Sequence, residues 1–190
     1  MEISQTMKHQ WIPVPVLTFS GASLHAEQYP VRMTFTGSAA YLARQISLGP
    51  NTSQVADLSQ TGDGSLGPFT LREMSTTGAM PAGPGCAGPN SAAFTFVAGA
   101  GVYRFRDGSL LTYKIKDGHS CIDFTAAAAN TTVTQQITGG TGRFKNASGT
   151  LTLTTLGSYP ILFDASGQQP VLVVFPNGTV TGTIVAPESN

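Results

Sequence analysis

Apolar and polar residues alternate with a period of two along much of this chain. In Pro30–Thr36, Val31, Met33 and Phe35 share one face, and Arg32, Thr34 and Thr36 share the other. That is the pattern of a half-buried strand. Phe69–Ser75 does the same, and the period places Glu73 on the face of Phe69 and Leu71. Thr150–Leu156 alternates threonine with leucine. Val133–Thr138, Tyr159–Phe163, Val171–Phe175 and Thr179–Val185 also read as strands, with Pro176-Asn177-Gly178 as a turn between the last two.

Phe94–Ala129 reads as an antiparallel meander, and its turns predict a register. Arg106-Asp107-Gly108 suits a three-residue loop with Gly108 left-handed. Tyr103, Phe105, Leu111, Tyr113 and Ile115 then share one face, apart from Arg104, Arg106, Lys114 and Lys116. A four-residue turn at Asp117-Gly118-His119-Ser120 would set Tyr113 opposite Phe124 and Lys114 opposite Asp123.

Other segments interrupt the alternation. Ser38–Leu48 spaces Ala39, Leu42, Ala43 and Ile46 as a helix does, behind a Ser38 cap, so one short helix is expected there. Gly49–Gly67 reads mostly as loop, with a turn at Thr61-Gly62-Asp63-Gly64. Thr76–Asn90 reads as a long Gly/Pro-bearing loop. Trp11–Phe19 is extended but carries Pro13 and Pro15, which suits an edge that closes a sheet or pairs with another subunit. The whole is a single all-β domain over residues 1–190, a barrel or a sandwich, with 1–10 and 186–190 as tails.

Gly139-Gly140-Thr141-Gly142-Arg143-Phe144 forms a corner between two strands, with Phe144 the large apolar residue available as a plug. A phosphate loop would need a helix after the glycines, and a Thr/Leu strand pattern follows instead. This corner, with Ala147 and Gly149 after it, resembles that of the allene oxide cyclase and dirigent barrel superfamily. Secreted bacterial proteins of unassigned function carry a similar corner. The close match covers about a dozen residues, and a looser one in strand order runs from Phe94 to Leu156. The resemblance implies an eight-stranded antiparallel barrel, often trimeric. It also implies a lumen that orients reactive small molecules, and it transfers no catalytic residue to this chain.

Composition narrows the function. The chain has 190 residues, 41% hydrophobic and 11% charged, with a formal net charge of zero. Without clustered Lys and Arg a nucleic-acid partner is not expected. No apolar run reaches the 18 residues of a membrane helix. Cys86 and Cys121 match no zinc spacing, and a disulfide in an oxidising compartment is the preferred use. Sequons at Asn51, Asn130, Asn146 and Asn177 fit an exported chain. No signal peptide is recognisable at Met1–Gln10, so export implies one already removed.

No nucleophile elbow, metal constellation or cofactor motif is present. His9, His25 and His119 read as solvated residues. Glu73 is the notable carboxylate: if it follows Phe69 and Leu71 inward it can serve as acid, base or ligand anchor, whereas the plainer and preferred reading is a solvated strand end near Arg72 or Arg104. The lumen candidates are Glu73, Tyr103, Phe105, Tyr113 and Phe124. Three function classes follow: a barrel that binds or steers a small hydrophobic or phenolic molecule, a structural extracellular protein that self-assembles through its N-terminal strand, and a cofactor-independent cyclase or isomerase.

Overall fold

The computed structural model of the protein describes residues 26–43, 52–78, 86, 90–158, 161–163 and 170–187. Nine strands run in chain order: β1 (Ala26–Ala43), β2 (Thr52–Gly64), β3 (Phe69–Gly78), β4 (Ser91–Phe105), β5 (Leu110–Asp123), β6 (Ala128–Gly140), β7 (Ser148–Ser158), β8 (Ile161–Phe163) and β9 (Pro170–Pro187). Each from β1 to β7 pairs antiparallel with the next, β7 pairs with β9, and β9 returns to β1. β8 pairs with β9 in the same register as β7, so it prolongs the position of β7 around the ring. The sheet is therefore a closed barrel with eight strand positions, and closure leaves those strands no unpaired edge.

The alternating residues turn inward as expected. Val31, Met33, Phe35, Phe69, Leu71, Tyr103, Phe105, Leu111, Tyr113, Leu151 and Leu153 are all buried. Gly108 has φ +83°, and its N–H donates to the Phe105 carbonyl, which closes the β4–β5 turn. The glycine corner follows β6, with Gly139 at φ +136° and Gly142 at φ +58°. A single 3-10 turn, Gly142–Phe144, drops the Phe144 ring into the barrel end.

Several expectations are corrected. No helix starts at Ser38, because residues 38–43 continue β1. There Ala39 pairs with Leu58 on one edge and Val174 on the other, and two ladders outweigh a weak local preference. Residues 44–50 lie outside the described residues. Much of Gly49–Gly67 is strand β2, whose polar look comes from one face: Asp57, Ser59 and Thr61 are exposed, whereas Ala56, Leu58 and Gln60 are buried. The turn proper is Ser65–Pro68.

Asp117-Gly118-His119-Ser120 is no turn and lies within β5. A register shift against β6 between Ile115 and Asp117 absorbs it and moves the inward phase from Tyr113 to Ser120 and Ile122. The hairpin turns at 124–127 instead, where Asp123 Oδ1 accepts the N–H groups of Thr125 and Ala126. Lys114 accordingly pairs with Ala100 and Gln136, not with Asp123. Pro176-Asn177-Gly178 is likewise interior to β9. The β1–β9 ladder skips Phe175 and Pro176, which is where a residue without an N–H is tolerated. The predicted tail also starts late, since Ala186 is buried and Pro187 ends β9. Trp11–Phe19 lies outside the described residues.

Two apolar clusters fill the barrel. The larger holds the aromatics Phe35, Phe69, Phe96, Tyr103, Phe105, Tyr113 and Phe144. The smaller is aliphatic: Ala39, Ala56, Leu58, Ile122, Ala129 and Val174. The larger abuts the end closed by the tight turns 65–68 and 106–109 and by the glycine corner. There Arg143 lies over the rings of Phe105 and Phe144, at 4.9 and 4.6 Å from their centroids. Its guanidinium also bonds Asp107 at 3.0 Å and the Leu66 carbonyl at 2.5 Å, which fastens three loops together. The opposite end carries the turn 124–127.

Candidate functional site

A polar layer separates the two clusters, and Glu73 is its centre. Glu73 on β3 pairs with Gly101 on β4, which pairs with Tyr113 on β5. Because Gly101 has no side chain, the Tyr113 ring lies across it, and a Cβ there would overlap Tyr113 Oη. The hydroxyl thus crosses a whole strand and donates to Glu73 Oε2 at 2.5 Å. Beside this bond, Tyr103 Oη donates to Gln135 Oε1 on β6 at 2.7 Å, and the Tyr103 and Tyr113 rings lie 5.4 Å apart.

Burial sets the electrostatics. The Glu73 residue is 4% exposed. Desolvation raises its pKa above the usual carboxyl value, and the hydrogen bond from Tyr113 pulls less strongly the other way. The Tyr113 hydroxyl is raised well above its ordinary value, first by burial and then by the nearby Glu73 charge. Tyr103 is raised as well, chiefly by burial. Burial favours the neutral form of this carboxyl, and in that form a carboxyl can donate as well as accept a hydrogen bond.

A cavity of about 20 Å³ opens on Glu73, lined also by Gln60, Thr131, Thr155, Phe96, Leu58 and neighbouring core residues. This is room for about one water-sized group. Among the described residues, neither amide atom of Gln60 has a hydrogen-bond partner, and nor does Gln135 Nε2. Unpartnered buried amides are costly, and they cluster where a structure has a polar occupant to receive. Gly37 opposite Gln60 leaves room for that side chain, as Gly101 does for Tyr113.

The expected lumen set is thus partly assembled. Glu73, Tyr103, Phe105 and Tyr113 face the interior, although Phe105 packs on Phe144 in the closed end, away from the polar layer. Phe124 does not belong with them: it sits in the β5–β6 turn and is 37% exposed. The corner residues Gly139, Gly140, Gly142 and Phe144 shape the closed end. Cys86 and Cys121 form a disulfide, which ties the β3–β4 connection to β5. Gln60, Gln135 and Gly101 were not singled out from the sequence. Recognising β2 as a strand would have put Gln60 inward with Ala56 and Leu58. Gly101 is conspicuous only once its two neighbours are known.

No protein-family model matches this chain. Nor does any curated protein. Among solved structures it is similar to the pterocarpan synthase dirigent protein GePTS1, at 12% identity and a TM-score of 0.41, with 88% of this chain and 89% of that one covered. It is also similar to the pterocarpan synthase dirigent protein PsPTS1, at 12% identity and a TM-score of 0.42, with 86% and 97% covered. The closed eight-position antiparallel barrel rests on its own strand pairing, and it is the architecture that the glycine corner implied.

Proposed function

We propose that this protein binds, or steers the reaction of, a small hydrophobic or phenolic molecule inside its barrel. The observation that carries this reading is the Tyr113–Glu73 bond beside a cavity lined by Gln60, whose amide has no partner among the described residues. A lumen needed only for packing would be better filled by apolar side chains. The Cys86–Cys121 bond supports an exported, oxidising setting. No helix among the described residues is long and apolar enough to cross a membrane. The test is titration with 4-ethylphenol followed by amide NMR. Saturable shifts should map to inward positions of β2, β3 and β6, and Leu58→Trp, which fills the cavity, should abolish them. Shifts confined to the outer surface would sink the reading.

Self-association is the second reading, and one observation favours it. Leu156 and Phe175 are 56% and 53% exposed on the outer faces of β7 and β9. Their pairing partners, Asn177 and Ser158, make them diagonal neighbours across that ladder. Sedimentation of the intact chain should show an oligomer that Leu156→Glu with Phe175→Glu shifts to monomer. An unchanged wild-type monomer at all concentrations would exclude it.

A further inference from the structure

We propose that the lumen takes its ligand polar end first, seating one uncharged hydroxyl or carbonyl between Gln60 and Glu73 while the ligand's apolar body rests against Ala39, Leu58 and Val174. The inference rests on the lumen reading above and adds the head group and its orientation. Size gives the first argument. The cavity of about 20 Å³ admits one oxygen-sized group. Chemistry gives the second. Gln60 presents an N–H donor and a carbonyl acceptor, both without partners among the described residues, and a hydroxyl can satisfy both at once.

Charge gives the third. Among the described residues no Lys, Arg or His lines the cavity, so an anionic head would meet the Glu73 oxygens with no counter-charge there. A cationic head would need Glu73 ionised, which its burial opposes. Shape fixes the direction. Toward the closed end the aromatic cluster is packed, with Phe69 and Tyr103 ring centroids 5.3 Å apart. Toward the other end the smaller cluster sets Ala39, Ala56 and Ala129 beside Leu58, Ile122 and Val174, aliphatic side chains without rings, which a body following its head inward must part.

The experiment compares four probes of one shape: 4-ethylphenol, ethylbenzene, 4-ethylbenzoate and 4-ethylbenzylamine. Calorimetric titration should rank 4-ethylphenol first, ethylbenzene about tenfold or more weaker, and the two charged probes weakest. Nuclear Overhauser contacts should join the ethyl methyl to Ala39 and Val174. Gln60→Leu should melt higher than wild type, because the unpartnered amide is gone, and should bring the ratio of phenol to ethylbenzene affinity close to one. If that variant fails to fold, Gln60→Met provides the same comparison. Ethylbenzene binding as tightly as the phenol, a charged probe binding tighter, or the ethyl group contacting Phe96 and Tyr113 would each overturn the polar-end-first inference and leave lumen binding intact. Binding of no probe inside the barrel would overturn both.

Discussion

Glu73 shows how a single buried side chain writes itself into the pH dependence of the fold. Its pKa in the folded protein is raised above the ordinary 4.5, first by burial. Below that ordinary value both folded and unfolded chains hold the proton, and the contribution is complete. As the pH rises toward the folded-state pKa, the unfolded chain releases its proton first and stability falls. The slope for one such group is about 1.4 kcal/mol per pH unit. Urea unfolding of wild type and Glu73→Gln between pH 4 and 8 should therefore show a stability difference that shifts steadily in favour of the variant. A difference independent of pH would mean that the carboxyl is not held protonated. Its spacing to Phe69 and Leu71 offered the inward position of Glu73, but a solvated strand end was the plainer reading and burial overturned it. Its partner was not, since the Tyr113 hydroxyl reaches it over a third residue on an intervening strand.

At the scale of elements, the row Glu73–Gly101–Tyr113 links β3, β4 and β5 through a residue with no side chain. Gly101→Ala should cost about 1–3 kcal/mol, as overpacking does, because the new methyl and the Tyr113 ring claim the same space. The same substitution in a Tyr113→Leu background should cost under about 1 kcal/mol. That coupling is read from the four members of a double-mutant cycle. Equal costs in both backgrounds would show that Gly101 serves the backbone and not the tyrosine. Strand alternation was plain in the sequence wherever one face is wet. Reading failed where the chain carried a turn dipeptide into a continuous strand, at Asp117-Gly118 and at Asn177-Gly178. A bulge absorbs the first, and the second pairs in regular register with both β1 and β7; both depend on neighbouring strands that local pattern cannot reveal. β2 was missed for a related reason, because serine, threonine and glutamine look like loop until a partner strand gives them an inside.

For the molecule as a whole, the Cys86–Cys121 bond spans a sequence separation of 35 and secures the β3–β4 connection to the barrel wall. Loop closure of this size is worth about 3–4 kcal/mol in the chain-entropy model. Adding reductant should lower the denaturation midpoint by the corresponding amount, and Cys86→Ser with Cys121→Ser should reproduce the shift without reductant. An unchanged midpoint would mean that the bond restrains nothing in the unfolded chain. The barrel also has a fixed polarity of attachment. Ala26 pairs with Pro187, so β1 begins and β9 finishes side by side, at the end sealed by Phe144 and Arg143. A support coupled through the C-terminus would hold every barrel by its sealed floor. A surface coated in that way would present every barrel in one orientation, with the end of the smaller apolar cluster turned toward the solution.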